Sequence, residues 1–179
     1  LAVAGEIEYH PTLDAAIEAA TKSHHLVMVI IVAPGTDPQG RDVCKLFREE
    51  TLPDSEIEKL IKAHFAPFLV DIAEVRAGKQ AIPPVVQACL KPNEQIMVPL
   101  AIFLDPKCKE VDRIAGYAPP MNYIGQLKRV VEKAIALVPD KDRRDAQRAF
   151  ERGRNAVEKK DFATALTELK AALAAGLFG

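Results

Sequence analysis

In the stretch APGTDPQGRDVCKLF, residues 33–47, a loop rich in Gly and Pro follows an apolar run and leads into a helix start. A strand, a loop and a helix N-terminus are parts from which many active sites are built. This loop offers one sulfur, Cys44, with Arg41 three residues before it. A cysteine in a first helical turn with a cation at i−3 has two features that favour thiolate, the attacking form of the side chain. Read as core instead, Cys44 is a small apolar group packed with Phe47. A disulfide to Cys89 or to another chain is a third reading.

The other candidate groups are less organised. Cys44, Cys89 and Cys108 are odd in number and match no zinc spacing, so no metal is expected. Cys89 reads as core on a short helix near Val85 and Val86. Cys108 stands in a hairpin turn where Gly is favoured because such turns often need positive φ, and an exposed thiol is expected there. His24 and His25 fall at a helix-to-strand turn, and adjacent histidines cannot both point one way in a regular element. His64 is expected at a helix end, where a positive charge would suit the dipole. GTDPQG lacks the strand–GxxxxGK pattern of a nucleotide loop, and neither HExxH nor GxSxG is present, so no cofactor is expected.

Composition narrows the class. The 179 residues can bury one good core and a small appendage. Hydrophobic residues make up 49% and charged residues 27%, and 24 Lys and Arg balance 25 Asp and Glu. No field of one sign points to nucleic acid. The longest apolar run, LVMVIIVA, is too short to span a bilayer. The opening LAVAGEIEYH carries no Met. A removed export signal would account for that, as would trimming, and an exported, extracytoplasmic protein is the expectation.

Periodicity supplies the elements. Leu13, Ala16, Ile17 and Ala20 recur at helical spacing, with Thr12 placed to cap. LVMVIIVA reads as a strand buried on both faces. From Arg41, the positions Val43, Cys44, Phe47 and Thr51 form one helical face. LPDSEIEKLIKAHF is a second helix, capped by Asp54 or Ser55 with Glu58 completing a box with Ser55. APFLVDI is another buried strand, VVQACL a short helix, and IMVPLAIFLDPKCKEVDRIAGY a hairpin whose turn has Pro106 at its second position. Pro99 lies near the start of that hairpin's first strand. MNYIGQLKRVVEKAIALV is a helix, PDKDRRD a charged break, and two more helices follow, turning near Asp161. Strands alternating with helices, then a hairpin, predict a mixed sheet in an α/β sandwich.

This order resembles the thioredoxin fold, and more narrowly the thioredoxin-like domains of bacterial exported proteins, over about residues 12–138. CKLFREETLPDSEI is similar without a gap to that family's CKKMERETLSDPEV, and VPLAIFLDPKCKEVDRIAGY to its VPTLLFLDPDGKEVARIVGY. The register puts Cys44 on the second cysteine of CxxC and Arg41 on the first, with Gly40 where the preceding Trp would be. The resemblance implies that Pro99 is cis and faces the motif. It also implies that the nucleophilic sulfur is the one missing, so no internal disulfide can form within the motif. FERGRNAVEKKDFATALTELKAALAAG resembles one tetratricopeptide repeat, with Gly153, Phe162, Ala165 and Ala172 on its packing positions, though the usual Trp and closing Pro are absent. One repeat cannot bury its face alone.

The expectation is therefore a thioredoxin-like three-layer sandwich over residues 1–139, followed by a helical hairpin over 140–179. Its role is read as a non-redox binding or adaptor module. Partner proteins would be met through the hairpin or through the rim of Cys44, Arg41 and Pro99. The competing reading is a single-cysteine thiol–disulfide or peroxide-reactive enzyme acting through Cys44 beside Pro99.

Overall fold

The computed structural model describes residues 7–90 and 97–174. The opening LAVAGE, Ile96 at the head of the expected hairpin strand, and the last five residues of the expected helical hairpin lie outside them. The chain divides into two compact units, one up to Val130 and the other from Val131.

The first unit is built on a four-stranded sheet in the order β2-β1-β3-β4. Strand β1 (Leu26–Val32) pairs parallel with β2 (Phe65–Asp71) and antiparallel with β3 (Leu100–Leu104), which pairs antiparallel with β4 (Glu110–Ala115). Flanked on both sides, β1 has no solvent edge, and its residues from Val27 to Val32 are buried. That is why its sequence is a continuous apolar run rather than an alternation.

The two sheet faces carry separate helices. Helix α1 (Leu13–Ser23) starts where the Thr12 hydroxyl accepts from the Ala15 N–H at 3.1 Å, and it buries Leu13, Ala16 and Ala20. Those residues share a core with Val27, Val29, Ile31 and with Val86 of helix α5 (Pro84–Cys89). The alternate residues of β1 face the other way. There the buried helical residues are Phe47, Ile57, Ile61, Tyr123, Leu127 and Val130. They come from the segment formed by α2 (Val43–Leu46) and its π-helical continuation (Phe47–Thr51), from α3 (Ser55–His64), and from α6 (Pro120–Leu137). Phe47 meets Tyr123 edge-on, with ring centroids 5.1 Å apart. Full burial of each ring contributes about 1.5–3 kcal/mol.

Several local expectations need correction. The helix expected from Arg41 begins only at Val43, because the Asp42 carboxylate caps it by accepting from the Lys45 N–H. At α3 the cap is Asp54, whose carboxylate accepts from the N–H groups of Glu56 and Ile57. Ser55 is thereby inside the helix, and the expected Ser55–Glu58 box has no cap position to act from. A short helix, α4 (Ile72–Arg76), not among the expected elements, follows β2 and is started by the Asp71 carboxylate on the Ala73 N–H. His64 is half-buried, and desolvation holds its pKa below the usual histidine value, so the helix end carries a neutral ring more readily than a charged one.

The hairpin follows its sequence signal closely. The Cys108 N–H donates to the Asp105 carbonyl at 2.8 Å around Pro106, and Cys108 takes φ 63°. This is the left-handed conformation for which Gly is the inexpensive residue. The thiol is half-buried rather than exposed. The peptide bond between Val98 and Pro99 is cis.

In the second unit, α7 (Asp140–Glu158) and α8 (Phe162–Ala174) form a helical hairpin. Its turn is closed by Lys160 at φ 59° and by the Asp161 carboxylate, which accepts from the Thr164 N–H. Small buried residues on both helices, Ala146, Ala149, Ala156, Ala165 and Ala172, let the backbones approach. The approach is tightest at Gly153, where a Cβ would stand 2.8 Å from Leu169 Cγ and 3.3 Å from its backbone N. Gly153→Ala would gain about 1 kcal/mol of helix propensity. The clash with Leu169 outweighs that gain, and a net loss of about 1–3 kcal/mol is expected as a lowered urea midpoint. An unchanged or raised midpoint would show that the helices separate freely at this point.

Candidate functional site

The candidate site forms where β1 ends. Val32 is paired with Asp71 of β2, and Ile31 with Leu100 of β3, so the carboxyl ends of two parallel strands and the start of β3 converge there. In open α/β sheets this edge is where ligands bind. Ala33 follows Val32 directly, and its backbone N–H bears on the Cys44 thiol, drawing its pKa down. Pro99 precedes Leu100, and its carbonyl accepts from the Gly116 N–H at 2.8 Å. The register thus brings Cys44 and Pro99 to the same end of β1.

Arg41 is held by its own loop. Its Nε and one terminal nitrogen each lie 2.8 Å from Asp37 Oδ2, while its backbone N–H donates to Oδ1 of the same carboxylate at 2.8 Å. Oδ1 also accepts from the Gln39 N–H, and the Asp37 N–H donates back to the Arg41 carbonyl. Gly40, at φ 77°, permits this tight return. These donors, the Arg41 N–H first, keep the Asp37 carboxyl below its ordinary pKa. The guanidinium stays more than half exposed on the rim, in an ion pair with Asp37.

Cys44 itself is 1% exposed. Burial raises its pKa above that of an ordinary thiol, and the carboxylates of Asp42 and Asp71 add to the rise. The Ala33 N–H and the Arg48 guanidinium act in the opposite direction and do not overcome burial. This corrects the expectation that helix position and Arg41 would favour thiolate: Arg41 is committed to Asp37, and the thiol is desolvated. The nearby cation is Arg48, whose NH1 is 3.6 Å from Asp71 Oδ2.

A polar rim surrounds this point. Tyr117, next to Gly116, donates its hydroxyl to Glu50 at 3.1 Å, and its phenol lies within the field of Arg41. Beneath it, the Thr51 hydroxyl donates to the Ala118 carbonyl at 2.8 Å in a buried bond. The π turn sets Phe47 and Thr51 inward together, a geometry often met at functional sites. Sequence reading missed Asp37, Arg48, Glu50, Asp71 and Tyr117. An Asp opening a Pro–Gln–Gly turn four residues before Arg41 was a legible signal for Asp37, and Arg48 stands one helical turn after Cys44. The approach of Tyr117 to Glu50 depends on tertiary packing and carries no local signal.

With this geometry in place, comparison with known proteins is informative. The thioredoxin-like domain family matches residues 13–131. The chain belongs to this family. Among solved structures, one titled as the oxidoreductase DsbH is similar, with a TM-score of 0.54 at 16% identity, covering 73% of this chain and 88% of its own. A thioredoxin from Thermus thermophilus is similar with a TM-score of 0.51 at 21% identity, covering 70% of this chain and 88% of its own. No curated protein matches in sequence. The chain shares the fold of these two structures, and its segment Arg41-Asp42-Val43-Cys44 has one cysteine. Among the described residues, no helix is long and apolar enough to cross a membrane.

The burial has a direct consequence for labelling. Iodoacetamide applied to the native protein near neutral pH is expected to leave Cys44 unmodified and to label it once denaturant is added, as peptide mass mapping would reveal. Rapid native labelling at Cys44 would contradict the sealed geometry.

Proposed function

We propose that this chain is a thioredoxin-like protein that has given up dithiol chemistry and serves as a binding or adaptor module. The observation that carries the reading is Cys44: a resolving-position sulfur that is buried, with its pKa raised, while an arginine engaged by Asp37 stands at the nucleophile's place. A surface that no longer exchanges disulfides still offers Arg41, Tyr117 and the Pro99 segment as polar and shape-reading contacts at the sheet edge. The hairpin of α7 and α8 is a second contact element, with Phe162 and Leu166 exposed. Partners are proteins that meet one or both surfaces. Resemblance to exported thioredoxin-like domains supports an extracytoplasmic location.

A second reading, a monothiol enzyme acting through Cys44, is favoured by one arrangement. The Ala33 N–H and the Arg48 guanidinium both bear on the sulfur and would stabilise a thiolate if the loop opened. Turnover separates the two readings. In reduction of a protein disulfide driven by a small dithiol, the wild type is expected to match the protein-free control, and Cys44→Ser to change nothing. Arg41→Cys supplies the missing nucleophile, and turnover about tenfold or more above wild type is expected from it. Wild-type turnover abolished by Cys44→Ser would overturn the binding-module reading.

A further inference from the structure

A pair of thiols lies away from the Cys44 site, where α5 ends beside β4. Arg113 of β4 ties the two elements together. Its NH2 donates to the Cys89 carbonyl at 2.9 Å, and its Nε and NH2 each donate to a Glu110 carboxylate oxygen at 2.6 Å. The same carboxylate bears on the Cys89 thiol and raises its pKa. Glu110 is paired with Leu104, and the turn between them, Asp105 to Cys108, puts Cys108 two residues from Glu110. Cys89 and Leu104 belong to the same packed core face. Each of the two thiols is free and half-buried. Burial pushes both upward in pKa, and each of them has a further acidic neighbour: Glu110 for Cys89, and Asp105 with Asp14 for Cys108. Cys108 is itself among the groups acting on Cys89. The turn also accepts a side chain at a left-handed position where glycine costs least, so the hairpin alone does not call for a cysteine.

We propose that Cys89 and Cys108 form a redox-sensitive pair that closes to an intramolecular disulfide in the presence of a small-molecule disulfide, locking α5 to the β3–β4 turn. The Cys89 thiol loses its proton to solvent hydroxide, since both Glu110 carboxylate oxygens are engaged by Arg113. The resulting thiolate attacks one sulfur of the small disulfide, whose S–S bond breaks and releases one thiolate that picks up a proton. Cys108 then attacks the Cys89 sulfur of the mixed disulfide, the S–S bond between Cys89 and the small thiol breaks, and the Cys108 proton passes to the departing small thiolate, which leaves as the second small thiol. Two protein thiols are oxidised, one small disulfide is reduced to two thiols, and the electrons balance. Thiols of raised pKa are poor leaving groups, so the closed bond resists further exchange and acts as a staple rather than a catalyst. This pair does not depend on the role of Cys44.

The test uses the full chain. Reduced protein is incubated with excess glutathione disulfide, quenched with an alkylating reagent, digested and mapped by mass spectrometry. The expected product is a Cys89–Cys108 linked peptide in monomeric protein. Its melting temperature should exceed that of the reduced form by several degrees, since closing a loop restricts the unfolded chain. Cys108→Ser should lose both the linked peptide and the shift. Glutathione adducts that never resolve to the linked peptide, an intermolecular Cys108 link, or no oxidation of natively folded protein would each overturn the proposal.

Discussion

Strand β1 is hydrogen-bonded on both edges, and every feature of the candidate site is placed by where that strand stops. Its parallel register with β2 sets Asp71 beside Val32, and its antiparallel register with β3 sets Pro99 beyond Ile31. Ala33, the first residue past the strand, bears on the Cys44 thiol through its N–H. A slip of one residue in a strand with two buried faces would exchange the α1 and α6 sides of the core, so the register is strongly held. The site inherits that rigidity from the sheet rather than from the loop.

Electrostatics at this edge is a matter of which cation serves which group. Arg41 has the position from which a positive charge could activate the sulfur, but the Asp37 carboxylate claims it through side chain and backbone together. Arg48 lies nearer the sulfur and is shared with Asp71. Burial then decides the outcome, because desolvation penalises the thiolate more than one partly solvated guanidinium favours it. The loop thus holds a single sulfur, Cys44, whose thiol is buried and raised in pKa, and an arginine that serves Asp37 instead of that thiol.

Much of this was legible in the chain before any coordinates. The apolar run of β1, the Thr12 and Asp54 caps, the Pro106 turn and the positive φ at Cys108 are short-range consequences of residue type, and they appear where sequence reasoning puts them. The ungapped stretch after Cys44 carried the family relation. What sequence could not carry was partner choice. Arg41 sits three residues from Cys44 and four from Asp37, and only the folded loop decides between them. Cys108 was expected to be exposed because turns are, yet its thiol is half-buried, and Arg113 ties the neighbouring strand to α5 through a contact that bridges 24 residues of chain.

The central claim is that the retained sulfur is chemically silenced by its surroundings. Its most direct test is the thiolate absorbance of Cys44 followed against pH, in a chain carrying Cys89→Ser and Cys108→Ser so that one thiol remains. The account predicts no thiolate step until pH passes above the ordinary thiol range, followed by a step in that range once the protein is unfolded. A thiolate step near neutral pH in the folded protein would contradict it.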